Sequence, residues 1–182
     1  MRHRIISALC AMGFSLVMLK PLLAQDVNTD YDKTSDFSQY KTYAWAKGTP
    51  AANPLMDQRI VSGIDTRMAA KGLTKVDDLA SADLAVAYHA GTSQQTRIST
   101  YGTGGWGYGY RWGGMGMTTT NIDQIPIGQL VVDMADVKGK KFVWRGTASG
   151  TVSDKPEKNE KTLDKALTKM FEEFPPPPAK AD

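Results

Sequence analysis

His89 is the side chain of this sequence best suited to acid–base chemistry, because an unperturbed histidine titrates near neutral pH. It is the one histidine after residue 25, and Asp83 precedes it on the same predicted strand face. Six residues of extended strand separate the two by about 20 Å, so Asp83 cannot orient the imidazole directly. The spacing favours an ordinary histidine at a sheet end or beside a loop. A hydrolase that pairs His89 with Asp133 or Asp83 is the enzymatic alternative.

Asp133 and Arg145 fall on the two arms of a predicted hairpin that turns near Gly139. With that turn, the two side chains are diagonal neighbours on one face of the sheet. The spacing predicts a structural ion pair, and an exposed pair of this kind contributes at most about 1 kcal/mol. The adjacent Trp144 belongs to the apolar face, which favours a core residue over a ligand platform.

The sequence lacks the common motifs of nucleophilic, phosphate-binding and zinc-dependent sites. It contains no G-x-S-x-G, no phosphate-binding glycine loop followed by Lys-Ser or Lys-Thr, and no H-E-x-x-H. The glycine run at 102–107 matches a dinucleotide pattern only superficially, because no helical pattern follows it. We therefore expect no cofactor, no metal site and no enzymatic activity.

Residues 101–117 are the unusual part of the sequence, with eight glycines, five aromatic residues and a single charge in 17 positions. Glycine disfavours both helix and strand, while aromatic rings offer a large amphipathic contact area. The candidate partner-binding residues are Tyr101, Trp106, Tyr108, Tyr110, Arg111 and Trp112.

Three interpretations of segment 101–117 are open. The rings can fold back onto the sheet as an excursion between two strands. They can anchor a protein or glycan partner, or they can insert at a membrane interface, where Trp and Tyr are enriched. One arginine is too little charge for a single-stranded nucleic-acid platform. The segment thus favours a binding or structural accessory module that makes contact through these residues.

Alternation of apolar and polar residues predicts about five strands. Two short strands joined by a turn at 36–38 lie within 26–46, and a third spans 83–90. Segments 128–136 and 140–152 form the hairpin with Gly139 in its turn. In its second arm, the predicted covered face holds Phe142, Trp144, Ala148 and Val152, and the wet face holds Val143, Arg145 and Thr147.

Two amphipathic helices complete the pattern. The first spans 54–71, with Asn53 as its cap and Gly72 at its end, and its apolar stripe recurs every four residues. The second spans 155–174, where Asp154 and Glu157 have capping-box spacing. The predicted fold is α+β, an antiparallel-rich sheet with both helices packed on one face. It forms a single domain over 25–174, followed by a proline-rich tail at 175–182.

The first 24 residues have the pattern of a secretory signal peptide. Arg2 and Arg4 precede an apolar run over 5–19, and Ala24 provides a small residue at the cleavage point. The run of about 15 residues is shorter than the roughly 20 that a membrane-spanning helix needs. We therefore expect export and cleavage, and we expect no transmembrane helix after residue 24.

The signal peptide also accounts for the basic balance of the chain. Three of the 22 basic residues and none of the 19 acidic residues lie in it, so the remainder carries 19 of each. A neutral product argues against binding to a phosphate backbone, which needs a surplus of Lys and Arg. The single cysteine, Cys10, lies within the signal behind Leu9, which is too large for a lipid-attachment site. We expect a thiol-free exported protein.

Several segments follow a familiar order along the chain: DYD at 30–32, DFSQYKTYAW at 36–45, ADLAVAYH at 82–89, GQLVVD at 128–133, FVWRGTA at 142–148, and MF at 170–171 before Phe174. Together they resemble a bacterial envelope family known as domain of unknown function family 4136. The resemblance implies an exported protein, often a lipoprotein, in the periplasm or at the outer membrane of Gram-negative bacteria. It brings no established activity and no catalytic residues, and this sequence lacks the lipobox of the common pattern.

Overall fold

Six strands form one mixed sheet in the computed structural model, which describes residues 26–102 and 118–177. The strands are β1 Asp26–Tyr31, β2 Thr42–Trp45, β3 Thr74–Lys75, β4 Leu84–Gly102, β5 Thr118–Asp136 and β6 Lys141–Thr151, and the helices are α1 Pro54–Ala70 and α2 Pro156–Phe171. The predicted signal peptide at 1–24 and residues 103–117 and 178–182 lie outside the described residues.

The strand order is β1-β6-β5-β4-β2-β3, and most of the pairing is antiparallel. The exceptions are β2 with β4 and β2 with β3, which are parallel. β1 and β2, which the sequence predicts as two strands joined by a turn, do not pair with one another: β1 is one edge of the sheet and β2 lies next to the opposite edge. Between β2 and β4 the chain passes through α1, and parallel neighbours need a connection of that length.

Helix α1 begins and ends as its sequence predicts. The Asn53 side-chain oxygen accepts hydrogen bonds from the N–H groups of Leu55 and Met56 at 3.0 and 3.1 Å. Gly72 follows the helix with a φ of 84°, a left-handed conformation that favours glycine. The predicted apolar stripe faces the core, with Ile60, Ile64 and Met68 buried.

Helix α2 departs from its prediction at both ends. The capping box is wrong, because the N-cap residue is Lys155 and its side chain makes no capping hydrogen bond. The Asn159 side chain instead accepts from the N–H of Ser153 and donates to its carbonyl. The helix ends at Phe171 rather than at 174. No helix among residues 26–102 and 118–177 is both long enough and apolar enough to cross a membrane.

One extra residue in β6 reverses part of the predicted face assignment. The pairing shifts between Met134, which lies opposite Trp144, and Ala135, which lies opposite Phe142. Val143 is the bulged residue, and it is 1% exposed although the alternation predicts it on the wet face. Phe142, assigned to the covered face, is 70% exposed. A bulge breaks the two-residue alternation that the face assignment assumes.

A single core joins β2, β4, β5, β6 and both helices. At Gly146 of β6, an added Cβ would come within 2.5 Å of the Met170 side chain, so α2 lies directly on this strand. The largest fully buried side chains are Tyr43, Ile64, Met68, Leu84, Val86, Val132, Met134, Val143, Leu167, Met170 and Phe171.

Gly48 allows the chain after β2 to pass close to β4. An added Cβ at this position would lie 2.0 Å from the carbonyl oxygen of Tyr88. The next residue, Thr49, donates its N–H to that oxygen, and its own carbonyl accepts from Ala90, both at 2.9 Å. Gly48 therefore seats residues 49–53, which lead into α1, against β4.

We expect Gly48→Ala to lower the free energy of unfolding by about 1–3 kcal/mol, because the new methyl group must displace backbone. Urea unfolding measures the loss. Gly91→Ala in β4 is the matched control, since nothing lies within 4 Å of a Cβ at Gly91. Equal stability changes in the two variants would contradict the close approach at Gly48.

Candidate functional site

The buried side of the sheet changes from large to small side chains towards one end. On β4 the row Leu84, Val86 and Tyr88 is followed by Ala90, and on β5 the row Met134, Val132 and Leu130 is followed by Gly128. On β6, Trp144 gives way to Ala148 and Gly150. Because α1 and α2 cross this end as well, the small residues leave an apolar cleft of about 600 Å³ between sheet and helices.

Both helices and the segment before α1 wall the apolar cleft. Met56 and Ile60 of α1 line it on one side, Leu163 and Ala166 of α2 line it on the other, and residues 50–53 close one edge. None of the described lining residues is charged or aromatic. The cleft is therefore uncharged and mostly apolar, with a minority of uncharged polar residues such as Asn53, Thr92 and Asn159 in its lining.

Beyond the apolar cleft, β4 and β5 continue without β6. They pair from Leu84–Asp136 to Gly102–Thr118, whereas β6 ends at Thr151, opposite Ile127. We call residues 94–102 and 118–126 the ribbon. At about 3.3 Å per residue, its two nine-residue strands extend roughly 30 Å.

The predicted strands stop short of the ribbon, since they end at 90 and begin again at 128. The physical reason is that residues 94–98 and 122–124 are all exposed, so this part of the sequence does not need to alternate between apolar and polar residues. Its one apolar cross-strand pair in the first half, Ile98 opposite Ile122, is 65% and 66% exposed.

Of the candidate partner-binding residues, the structure describes the backbone of Tyr101 alone. It lies near the end of β4, paired with Thr119 of β5. Trp106, Tyr108, Tyr110, Arg111 and Trp112 lie outside the described residues. The ribbon therefore determines where segment 101–117 leaves and rejoins the sheet.

Asp133 and Arg145 form a two-point ion pair on the side of the sheet away from the buried rows. Nε of Arg145 lies 2.6 Å from Oδ1 of Asp133, and Nη2 lies 2.9 Å from Oδ2. The Asp133 side chain is 6% exposed and that of Arg145 is 57% exposed. The hydrogen bond and the negative charge of Asp133 raise the pKa of Arg145 further.

The bulge at Val143 brings this pair together. The two residues lie directly opposite one another, not diagonally as the sequence predicts. If the pairing beside the turn, where Ala135 lies opposite Phe142, continued without the extra residue, Asp133 would lie opposite Trp144. The bulge therefore places Arg145 opposite the buried carboxylate of Asp133. The same bulge is the reason that the face predicted for Phe142 is wrong.

The structure gives His89, Asp83 and Asp133 separate local partners. Nδ1 of His89 lies 2.9 Å from the Thr49 hydroxyl, and its side chain is exposed beside the segment that follows β2. Asp83 accepts hydrogen bonds at 3.0 Å from the N–H groups of Lys41 and Thr42 and from the Thr42 hydroxyl. Of these, the Lys41 hydrogen bond is the largest cause of the lowered pKa of Asp83.

Within the described ranges, no cluster of three or more His, Cys, Asp and Glu side chains could hold a metal ion.

Two carboxylates of α1 that the sequence pattern does not single out bind side chains of the sheet. Asp57 accepts from the Tyr88 hydroxyl, and Asp65 accepts from the Tyr43 hydroxyl and from the Trp45 indole. They tie α1, a wall of the apolar cleft, to the sheet.

Arg145→Met should lower the free energy of unfolding by about 1–3 kcal/mol, because it leaves the buried carboxylate of Asp133 without its main partner. Adding Asp133→Asn should restore part of the loss, and equilibrium unfolding of the single and double variants measures it. Lys138→Met is the control, since Lys138 is 84% exposed and lies 3.6 Å from Asp83. A loss in Arg145→Met no larger than in this control would contradict a stabilising role.

Asp83 should contribute stability that disappears in acid. Its pKa is lowered in the folded chain, so its contribution is complete above the ordinary carboxyl value near 4 and is lost as the pH falls below it. We expect Asp83→Asn to cost about 1 kcal/mol at neutral pH and progressively less on acidification. Unfolding at several pH values measures this difference. Asp123→Asn, at an exposed ribbon position, is the control, and a pH-independent cost of Asp83→Asn would contradict the linkage.

Comparison with known proteins gives a family and a fold. The family model "Domain of unknown function (DUF4136)" matches residues 27–176. A crystal structure of a DUF4136 family protein from Bacteroides thetaiotaomicron is 21% identical, with a TM-score of 0.53, over 83% of this chain and 96% of that chain. No curated protein sequence matches the chain.

A second structural match is a larger protein. The crystal structure of a PDZ domain protein from Parabacteroides distasonis is 15% identical, with a TM-score of 0.54, over 84% of this chain and 36% of that chain. The present chain thus spans about a third of that protein's length. At these identities, both likenesses show the fold alone.

Proposed function

The chain belongs to the DUF4136 family, and from this premise we propose that it is a non-enzymatic accessory module of the bacterial cell envelope. In this proposal it contacts an envelope protein, a wall polymer or the membrane surface through the ribbon and segment 101–117. It needs no cofactor, and nucleic acid is not its partner.

The ribbon is the observation that carries the proposal. Two strands leave the sheet together and stay paired for nine residue pairs with no third strand of the described residues beside them. Their exposed Ile98 and Ile122 add apolar surface on the way to the glycine- and aromatic-rich segment. Large aromatic side chains are the residues that most often anchor partners at interfaces. An extended support that ends in such residues suits contact at a distance from the domain.

The proposed location follows from the N-terminal sequence and the charge. A cleaved signal at 1–24 would deliver a protein with 19 basic and 19 acidic residues to the periplasm or the inner side of the outer membrane. In this proposal Cys10 leaves with the signal, so association with a membrane would depend on the folded protein and not on a lipid anchor.

We further infer that both helices cover the same side of the sheet. Nη2 of Arg67 in α1 lies 2.7 Å from the Asp164 carboxylate and 2.8 Å from the Thr168 hydroxyl, both in α2. Helices in such contact, with buried residues in one core, are expected to form one layer. The other side then carries the Asp133–Arg145 pair.

The alternative of a hydrolase has less support from the geometry. Asp133 is engaged at two points by Arg145, and Asp83 holds the start of β2 through three hydrogen bonds. His89 bonds to Thr49. A catalytic base and the carboxylate that orients it should lie within hydrogen-bond reach of one another. The observed partners of His89, Asp83 and Asp133 are instead Thr49, residues 41–42 and Arg145.

The experiment compares the wild type with a chain in which residues 102–116 are replaced by an Asn-Gly turn. Both are expressed from the full sequence in a Gram-negative host and separated into soluble periplasm, membranes and wall sacculi. We expect the wild type to sediment with one insoluble fraction, which identifies the partner class, and the deletion variant to become soluble. Because the ribbon separates Gly102 and Thr118 from the core, the melting temperature of this variant should stay within a few degrees of the wild-type value.

A matched control removes an exposed aromatic residue elsewhere. Phe142→Ser alters a 70% exposed ring on β6, near the turn after β5, and it should leave the distribution unchanged. Substitution of the four rings Trp106, Tyr108, Tyr110 and Trp112 by Ser should reproduce the deletion. Unchanged sedimentation of a folded deletion variant would refute contact through this segment.

A further inference from the structure

We propose that the apolar cleft is a binding site for a single unbranched acyl chain, that of a free fatty acid. The inference goes beyond the proposed envelope contact, because the cleft lies between α1, α2 and the sheet and its lining does not include the ribbon. Three properties of the cleft carry it: the chemistry of its lining, its size and the state of the backbone at its floor.

The lining selects against most ligand classes. With no charged side chain among its described lining residues, it offers nothing to offset the cost of burying a phosphate or an ammonium group. The same described residues include no aromatic ring, so they lack the platform on which nucleobases and aromatic groups stack. What remains is aliphatic surface from Ile60, Leu130, Val152 and Leu163, together with Met56, whose flexible side chain adapts to a ligand's shape.

The floor of the cleft adds apolar surface without exposing free polar groups. Ala90, Gly128, Ala148 and Gly150 are all paired in the β4–β5 or β5–β6 ladder. In such a ladder, backbone groups are engaged in hydrogen bonds between strands. A hydrocarbon chain can therefore lie against this floor without leaving a backbone group unsatisfied.

The volume matches one chain. About 600 Å³ falls within the range of small-molecule sites. At the roughly 30 Å³ that a water-sized group occupies, it holds on the order of 20 such groups. That is enough for one long acyl chain and too little for the two chains of a phospholipid.

The polar end of an amphiphile fits where β6 stops. Thr92, which shares the parity of Ala90 on β4, lines the cleft there and is exposed. A carboxyl group beside it can accept from the Thr92 hydroxyl and stay in water while the chain occupies the aliphatic part. The geometry thus points to a ligand with one apolar chain and one small polar end.

Binding of cis-parinaric acid, a fluorescent fatty acid, to the purified full-length protein tests the proposal. We expect saturable binding of one molecule per chain, and displacement by palmitate but not by a two-chain phosphatidylcholine. Gly150→Leu fills the floor beside Thr162 and should weaken binding by at least about tenfold. Ala90→Leu is the second blocking variant, in case the first lowers stability.

Thr147→Leu is the matched control, because it places the same side chain on the same strand but on the other face from Ala148 and Gly150. It should bind as the wild type does, and unfolding curves should show that all variants are folded. Absence of saturable binding by the wild type, or equal binding by the control and both folded blocking variants, would overturn the site. Displacement by phosphatidylcholine would overturn the single-chain assignment.

The two proposals can fail separately. The variant that lacks residues 102–116 should still bind cis-parinaric acid as the wild type does, since the apolar cleft remains. Loss of its binding, with the fold intact, would contradict a site confined to the cleft. The envelope contact is judged by sedimentation alone.

Discussion

The continuous antiparallel register of β4 and β5 is the constraint on which the rest of the structure depends. Nineteen consecutive residue pairs run from Leu84–Asp136 to Gly102–Thr118. Because side chains alternate strictly along a strand, one register assigns every residue of both strands to a face. The same pairing builds the core at one end, forms the floor of the apolar cleft in the middle and extends the ribbon beyond the last neighbouring strand.

Polar contacts then place the helix that makes the cleft deep. α1 presents Asp57 and Asp65 to the sheet, and the hydroxyls of Tyr88 and Tyr43 donate to them. Burial is the largest cause that raises the pKa of Tyr88 to about 12, and the bond to Asp57 adds to it, so both phenols stay protonated donors in ordinary conditions. Hydrogen bonds from neutral donors to carboxylates are among the stronger ones available to a protein. These directional hydrogen bonds fix the position of α1 along the sheet, whereas apolar contacts alone would allow the helix to shift.

The sequence predicts the elements of this fold better than their arrangement. Periodicity and capping locate α1 to within a residue of its end, and the β5–β6 hairpin is evident from alternation. Parallel pairing of β2 with β4 and β3 is set by long-range packing that no local pattern encodes, and Thr74–Lys75 is too short to register as a strand. The bulge at Val143 depends on which neighbour accommodates an extra residue. The apolar cleft cannot be predicted from the sequence either. Alanine and glycine are ordinary residues within a strand, and they indicate a cleft only when the positions of the helices are known.

The distribution of side-chain size along the sheet argues that the cleft serves something other than stability. At the far end, Phe37, Trp144, Phe171 and Phe174 pack with ring centroids 5.4–6.0 Å apart. A core under selection for stability alone fills its interior to the density of an organic crystal, and unfilled space costs contacts. Here glycine and alanine line the cleft on three adjacent strands, together with residues of α1 and α2. The aromatic cluster provides the dense packing that stabilises the fold. The other end of the sheet can therefore keep a cleft that a ligand fills.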